Sequence, residues 1–289
     1  MTDKPVLGVI GGSGLYDIPA IKDTQTIESE TPFGKPSAPI VLGTLAGKRV
    51  AFLARHGIGH HISPSEVNYR ANIYALKALG IRRIISISAC GSLREDYAPG
   101  QIVVPDQLFD FTHNRARSFF GEGLVVHVGA ADPFCGDLSA QLSKAVVQAG
   151  GTCHQGGTFI TIEGPRFSTR GESQTFRAWG MAIIGMTASP EAFLAREAEM
   201  CYATMAHVTD YDVWHISEEP VSVEMVVRTL HKNTELAQRA IQILLEQLSE
   251  ETDCDCEHAL ANAIITRPDR IPAETKNKLG LLLDKYLTP

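Results

Sequence analysis

Short runs of β-branched and apolar residues recur along this 289-residue chain, each closing on glycine or small polar residues and most followed by a segment of helical spacing. No other feature restricts the fold as strongly. The first run, VLGVI at 6–10, ends in Gly11-Gly12-Ser13-Gly14 and reads as a buried strand delivering a glycine-rich loop. Runs at 40–45 and 49–54 look like a hairpin pair. The spacing predicts a helix over 64–79, with Ser63 as cap, Pro64 in the first turn and Gly80 as stop, then strands at 83–89 and 101–104. A helix at 137–149 closes on Gly150-Gly151. It is followed by a strand at 154–162, a helix at 172–179, a strand at 182–184, a helix at 190–201 opened by Ser189, and a last strand at 203–208. Beyond Val221 everything reads as helix: a long amphipathic stretch to about Leu248, an acidic break EETDCDCE, and shorter helices to Leu287. The alternation implies an α/β sheet with helices outside and active groups at strand ends.

Apolar residues at 44% and charged residues at 20% are enough to build one large core without covalent staples, which excludes disorder, collagen and a disulfide miniprotein. The 26 Lys+Arg against 33 Asp+Glu leave a net charge of −7, spread along the chain, where a general nucleic-acid binder is basic. Asp3, Lys4 and Pro5 stand where a signal peptide needs an apolar run, and no stretch approaches the length of a membrane span. A cytoplasmic location is expected, with no nucleic-acid or membrane partner.

Cysteines occur at 90, 135, 153, 201, 254 and 256. The first four sit singly among apolar or small neighbours and read as reduced, half-buried thiols. Cys254-Asp-Cys256 is too close a pair for half of a standard zinc site, and the sequence has no matching second pair. Two incidental thiols in an acidic surface loop are expected, with a strained CxC disulfide as the alternative. No metal site is read.

The glycine-rich loop invites a dinucleotide reading, yet Gly12-x-Gly14-x-x-Asp17 lacks the third glycine and no GxxxxGK[ST] is present. What remains is a turn whose backbone N–H groups and Ser13 hydroxyl can approach an anion. LARHGIGHH at 53–61 places Arg55 and His56 at a strand end, a guanidinium and an imidazole suited to phosphate. A metal held by His56 and His60, or an internal ion pair of Arg55, are the alternatives. Ala89-Cys90-Gly91-Ser92 reads as a loop after the strand, with Cys90 a buried structural thiol lacking a paired base.

TIEGPRFSTR at 161–170 joins a strand to a rigid Gly164-Pro165 turn whose Phe167 offers a flat face to a heterocycle or is simply buried. Thr187, between a short strand and the Ser189-Pro190-Glu191 helix start, sits where its hydroxyl can serve a ligand rather than the helix. TDYDVW at 209–214 ends an apolar strand with two carboxylates one residue apart, which alternation puts on one face if the strand continues. Crowded acids in a site of low polarity have separated pKa values, so one can keep its proton while the other accepts hydrogen bonds. A cap or ion-pair cluster is the plainer account of Asp210 and Asp212.

In this order, GVIGGSGL, TPFGKPS, LARHG, ACGSLRE, TIEGPRFSTR, GMTASPE and TDYDVW resemble segments of the trimeric purine nucleoside phosphorylases, nearly end to end. The resemblance implies a single nucleoside phosphorylase domain over 1–289, a mixed twisted central sheet flanked by helices, and a homotrimer. It implies no cofactor. The implied reaction is phosphorolysis of methylthioadenosine to adenine and 5-methylthioribose 1-phosphate, a step of methionine and purine salvage. By motif, Ser13, Arg55, His56, Ser88 or Ala89, and Thr187 would contact phosphate. Met186 would pack on the ribose, Phe167 and Ser168 would line the base, and Asp210 and Asp212 would address adenine N7 and N6. Val223, Val226 and Val227 would wall the methylthio group, and His127 would arrive from a neighbouring subunit. Departures from the pattern are Ser13 and Ser88 for threonine, Val227 for leucine and Gly185 for asparagine. Rival readings are a phosphorylase of 6-oxopurine nucleosides or methylthioinosine on the same fold, a hydrolase using water, and a noncatalytic nucleoside-binding or NAD-dependent protein.

Overall fold

In the computed structural model, whose described residues are 4–12, 20–215, 222–249 and 254–287, the apolar runs become strands buried along most of their length. The first half holds β1 (Leu7–Gly11), β2 (Lys22–Ile27), β3 (Ile40–Leu45), β4 (Lys48–Ala54), α1 (Tyr69–Ala78), β5 (Arg83–Ser92), β6 (Ile102–Val104), β7 (Gln107–Phe111) and α2 (Gly136–Gln148). The second holds β8 (Cys153–Gln155), β9 (Thr158–Ile162), α3 (Arg170–Ala178), β10 (Ile183–Gly185), α4 (Ala188–Glu197), β11 (Cys201–Asp210), α5 (Val223–Gln247) and α6 (Ala273–Leu287), with short 3-10 turns at Asp255–His258 and Pro268–Arg270. Ser13 and Val221, and 250–253 of the acidic break, lie outside the described residues.

The eleven described strands form one mixed sheet, β2-β3-β4-β1-β5-β10-β9-β7, with β11 beside β5 and β6-β8 beyond it. At its centre β4, β1, β5 and β11 run parallel, so their C-terminal ends share one edge. Alternation assigns the two faces. Ile10, Ile84 and Tyr202 pack toward α1, α4 and α6 through Leu76, Ala195 and Leu282. The intervening Val9, Ile85 and Ala203 pack toward α2 and α5 through Leu142, Ala237 and Leu244. Strands covered on both faces read as continuous apolar runs, which is why these were legible. Among the described residues no helix is long and apolar enough to cross a membrane.

Several boundaries differ from the sequence reading for local reasons. α1 starts at Tyr69, not Pro64: the Ser63 hydroxyl is occupied by Glu66 Oε2 at 2.5 Å, while the Asn68 side chain accepts from Ala71 N at 3.2 Å and caps the helix. Gly156-Gly157 splits the predicted strand over 154–162 into β8, paired to β6, and β9, paired to β7 and β10. α4 stops at Glu197, and Cys201 opens β11 rather than closing a helix. β2 and β7 have no apolar run to betray them; β2 is KDTQTI, exposed along almost all of its length. Ala89 to Ser92, expected as a loop, is the end of β5.

That extension of β5 shapes the site. β1 accompanies β5 only from Ile84 to Ser86, and β10 then pairs with it antiparallel at Gly91 and Ser92. The change of neighbour opens a crevice at the strand ends, the usual place for a ligand in an α/β sheet.

Candidate active site

A cavity of about 950 Å³ occupies that crevice. Its wall brings together Arg55, His56, Ser88, Ala89, Phe167, Ser168, Met186, Thr187, Asp210, Asp212, Val223, Val226 and Val227. His127 is exposed and outside the cavity wall of its own chain, its backbone N–H donating to Ala263 O at 2.8 Å.

Arg55 leaves β4 fully buried and makes the internal ion pair that its sequence left open. Its Nε and Nη2 each donate to Glu191 at 2.8 Å, Nη2 donates to Ser86 Oγ at 2.7 Å, and Nη1 donates to Ile87 O at 3.2 Å. Burial works against the charge, and Glu191 more than offsets it, holding the guanidinium above the ordinary arginine range. The second N–H of Nη1 has no acceptor among the described residues, and Arg55 lines the cavity. The pairing therefore anchors the guanidinium without consuming it. His56 is pushed down to about 4, first by burial and then by the neighbouring Arg55, so it is neutral at pH 7. Its Nδ1 lies 2.9 Å from Ile62 O, which assigns the proton to Nδ1 and leaves Nε2 as an acceptor. His56 and His60 stack with centroids 4.4 Å apart, and among the described residues no carboxylate joins them to make a metal site.

Thr187 is the N-cap residue of α4, yet its side chain makes no cap bond. It lies instead 3.4 Å from Ser88 Oγ, so two hydroxyls from β5 and the β10–α4 junction share one corner. Arg115 fixes that junction: its Nη1 donates to Met186 O at 2.7 Å and Ser189 O at 2.8 Å, and its Nε donates to Glu163 Oε1 at 3.0 Å. Nothing in the sequence marks Arg115, 71 residues from Met186, for this task.

Asp210 and Asp212, both buried, line the same cavity. A bulge in β11 between Val208 and Asp210 lets Thr209 and Asp210 together oppose Gly91 of β5, re-aiming the carboxylate. Asp210 Oδ2 accepts from Thr209 Oγ at 2.6 Å, and Oδ1 accepts from Asp212 N at 2.7 Å. The strand does not continue as the alternation argument required. Asp212 sits at φ 52°, so a left-handed turn, not a pleat, returns its side chain to the same site. Burial raises Asp210 to about 6, and the hydrogen bonds from Thr209 and the Asp212 N–H offset only part of it. Asp212 is raised by burial, and the hydroxyls of Ser173 and Ser168 work the other way from beyond hydrogen-bond geometry. Asp212 Oδ2, Ser168 Oγ and Ser173 Oγ are buried without hydrogen-bond partners among the described residues, an unusual concentration of unsatisfied polar atoms that a ligand can satisfy.

Phe167 stands at the mouth, while Val223 and Val227 of α5 are exposed at 67% and 44% although they line the cavity. Glu191, Gly91, Ser173 and Arg115 were given no site role from sequence; their roles depend on contacts to residues 39 to 136 positions away.

A sheet crevice here holds hydroxyls, a guanidinium and a buried acid pair in one cavity, and residues 6–246 match the Phosphorylase superfamily. The chain belongs to that superfamily. It is 52% identical over 285 residues to an S-methyl-5′-thioadenosine phosphorylase of Geobacter sulfurreducens, covering 98% of this chain and 100% of the relative. A relative of the same description from Koribacter versatilis is 51% identical, covering 97% and 96%. Among solved structures, a methylthioadenosine phosphorylase from an antarctic soil metagenomic library superposes with a TM-score of 0.93 at 47% identity, covering 98% of this chain and all of the other. A Schistosoma mansoni methylthioadenosine phosphorylase in complex with adenine gives 0.85 at 38% identity, covering 92% and 100%.

Proposed function

We propose that this chain catalyses the phosphorolysis of S-methyl-5′-thioadenosine to adenine and 5-methylthioribose 1-phosphate. The observation that carries the reading is the presence of two chemistries in one cavity. Arg55, His56, Ser88 and Thr187 line it together with the buried Asp210–Asp212 pair. Relatives of that description at about half identity over nearly the whole chain support it.

Phosphate in the first corner receives the remaining Arg55 N–H and the Ser88 and Thr187 hydroxyls. Neutral His56 accepts a hydrogen bond from a phosphate hydroxyl through Nε2. Phosphate oxygen bonds to C1′ as the bond from C1′ to N9 breaks, and the electron pair moves into the purine. Held near 6, Asp210 donates a proton to N7 as that charge develops, a general-acid role. Asp212 Oδ2 accepts from the 6-amino group, and the phosphate charge balances the ribosyl cation. Met186 and Phe167 pack on ribose and base, and Val223, Val226 and Val227 receive the methylthio group.

The whole chain acts as one domain, in a cytoplasmic homotrimer whose neighbouring subunit supplies His127 to the open side. The exposure of His127 and of the valine wall in a single chain supports this arrangement. The test is to incubate purified protein with methylthioadenosine with and without phosphate and identify the base and sugar by chromatography. Adenine and a sugar phosphate, formed only with phosphate, support the proposal; base release without phosphate makes the enzyme a hydrolase.

A further inference from the structure

The two cysteines of the CxC do not lie in a surface loop, and the second pair missing from the sequence is supplied by the fold. Cys256 is buried and Cys254 half-buried, and they meet Cys135, at the N-cap of α2, and Cys201, the first residue of β11. All four Sγ atoms lie within 4.8 Å of one another, and Cys135 and Cys254 are 3.6 Å apart. We propose that Cys135, Cys201, Cys254 and Cys256 form a tetrathiolate site for a structural zinc ion.

Four thiolates at a zinc–sulfur distance of about 2.3 Å stand about 3.8 Å from each other at the corners of a tetrahedron. The widest separation here closes to that value with a contraction of about 1 Å, within reach of side-chain rotation. A spacing of one residue suffices because Cys254 is extended while Cys256 lies in the 3-10 turn of Asp255–His258, so the backbone bends between the sulfurs. The surroundings suit a site carrying excess negative charge. Arg196 Nη1 donates to Cys256 Sγ at 3.2 Å, and Cys135 stands at the positive end of the α2 dipole. Cys135, Cys201 and Cys256 pack in one apolar cluster with Leu138 and Ala203.

Binding releases the four thiol protons to solvent and needs no oxidant, whereas pairing the cysteines as disulfides needs one. With four protein ligands the site has no open position, and none of the four cysteines lines the catalytic cavity. Its effect is mechanical: it ties the segment after α5 to α2 and β11, a cross-link across 121 positions of sequence.

The full-length protein, purified oxygen-free with reductant and dialysed against zinc, is analysed for metal and by intact mass. About one zinc per chain is expected. Cobalt in its place gives the visible bands of a tetrahedral thiolate complex. Cys256→Ser lowers the zinc content at least about tenfold and the melting temperature with it, as for other metal-linked folds, while leaving phosphorolysis at moderate temperature intact. Should that variant not fold, the cobalt spectrum of the unaltered chain still decides. All six thiols titratable with no metal taken up, or a mass lower by four hydrogens in reductant, overturns the proposal.

Discussion

Gly91 lies so close to Asp210 that a β-carbon on it would stand 2.9 Å from Asp210 Oδ1, with Ile184 Cγ2 at 3.1 Å and Asp212 Cβ at 3.2 Å. The glycine is the floor on which the bulged end of β11 rests. Gly91→Ala must push the carboxylate or its turn aside, because all three neighbours are fixed by packing. A loss of about 1–3 kcal/mol in stability is expected from the overpacking. The larger effect falls on kcat, since a displaced acid loses its alignment. Denaturation and steady-state kinetics on the same preparation check both.

Asp210→Asn retains the shape and removes the titrating proton. The variant should fold normally and lose about 10² or more in turnover, the range of general-acid catalysis. Asp210 is raised to about 6 and only its protonated form donates, so wild-type kcat/KM should fall as pH rises through that region. The asparagine variant should lack that limb. Unchanged turnover removes Asp210 from the chemistry.

Glu191 is the carboxylate that lets Arg55 remain charged inside the protein. Glu191→Gln leaves a buried guanidinium without its counter-ion, at a cost of about 3–5 kcal/mol. The glutamine carbonyl can still accept from Tyr202 OH, while its amide NH2 then faces Arg55 Nε in place of an acceptor. Urea denaturation gives the stability change, and the KM for phosphate reports whether Arg55 has moved from its corner.

His207, on the face of β11 that packs against α5, lowers stability in acid. Burial holds it at about 4, from the ordinary 6.5, and neither ring nitrogen has a hydrogen-bond partner among the described residues. The unfolded chain binds a proton below pH 6.5 that the folded chain refuses until about 4, so stability is full above 6.5 and falls through that window. His207→Gln should remove about 2–3 kcal/mol of the loss between pH 7 and 4. Identical pH dependence in the two proteins would show that the imidazole is not the responsible group.

Much of the central sheet was legible because β1, β4, β5 and β11 are buried on both faces and cannot be written with anything but apolar runs. β2 escaped because an exposed edge strand has no such requirement. At the site, the residue types of LARHG, GMTAS and TDYD announced anion and acid chemistry, and the structure gathers the described ones around one cavity. What held them there was not legible. Arg55 finds Glu191 136 positions away, the Asp210–Asp212 approach depends on a bulge and a left-handed turn, and Cys135 and Cys201 reach the CxC only through the packing of α2 on β11. Local pattern records which face a residue takes, but not which distant residue it meets there.

The central claim is that the Asp210–Asp212 pair reads a 6-aminopurine at the moment its bond to ribose breaks. Turnover of methylthioadenosine and of its 6-oxo counterpart, methylthioinosine, each with saturating phosphate, tests it most directly. A carboxylate facing the 6-position accepts from an amino group and repels an oxo group, so kcat/KM should favour methylthioadenosine by at least about tenfold. An equal or reversed preference contradicts the roles given to both carboxylates.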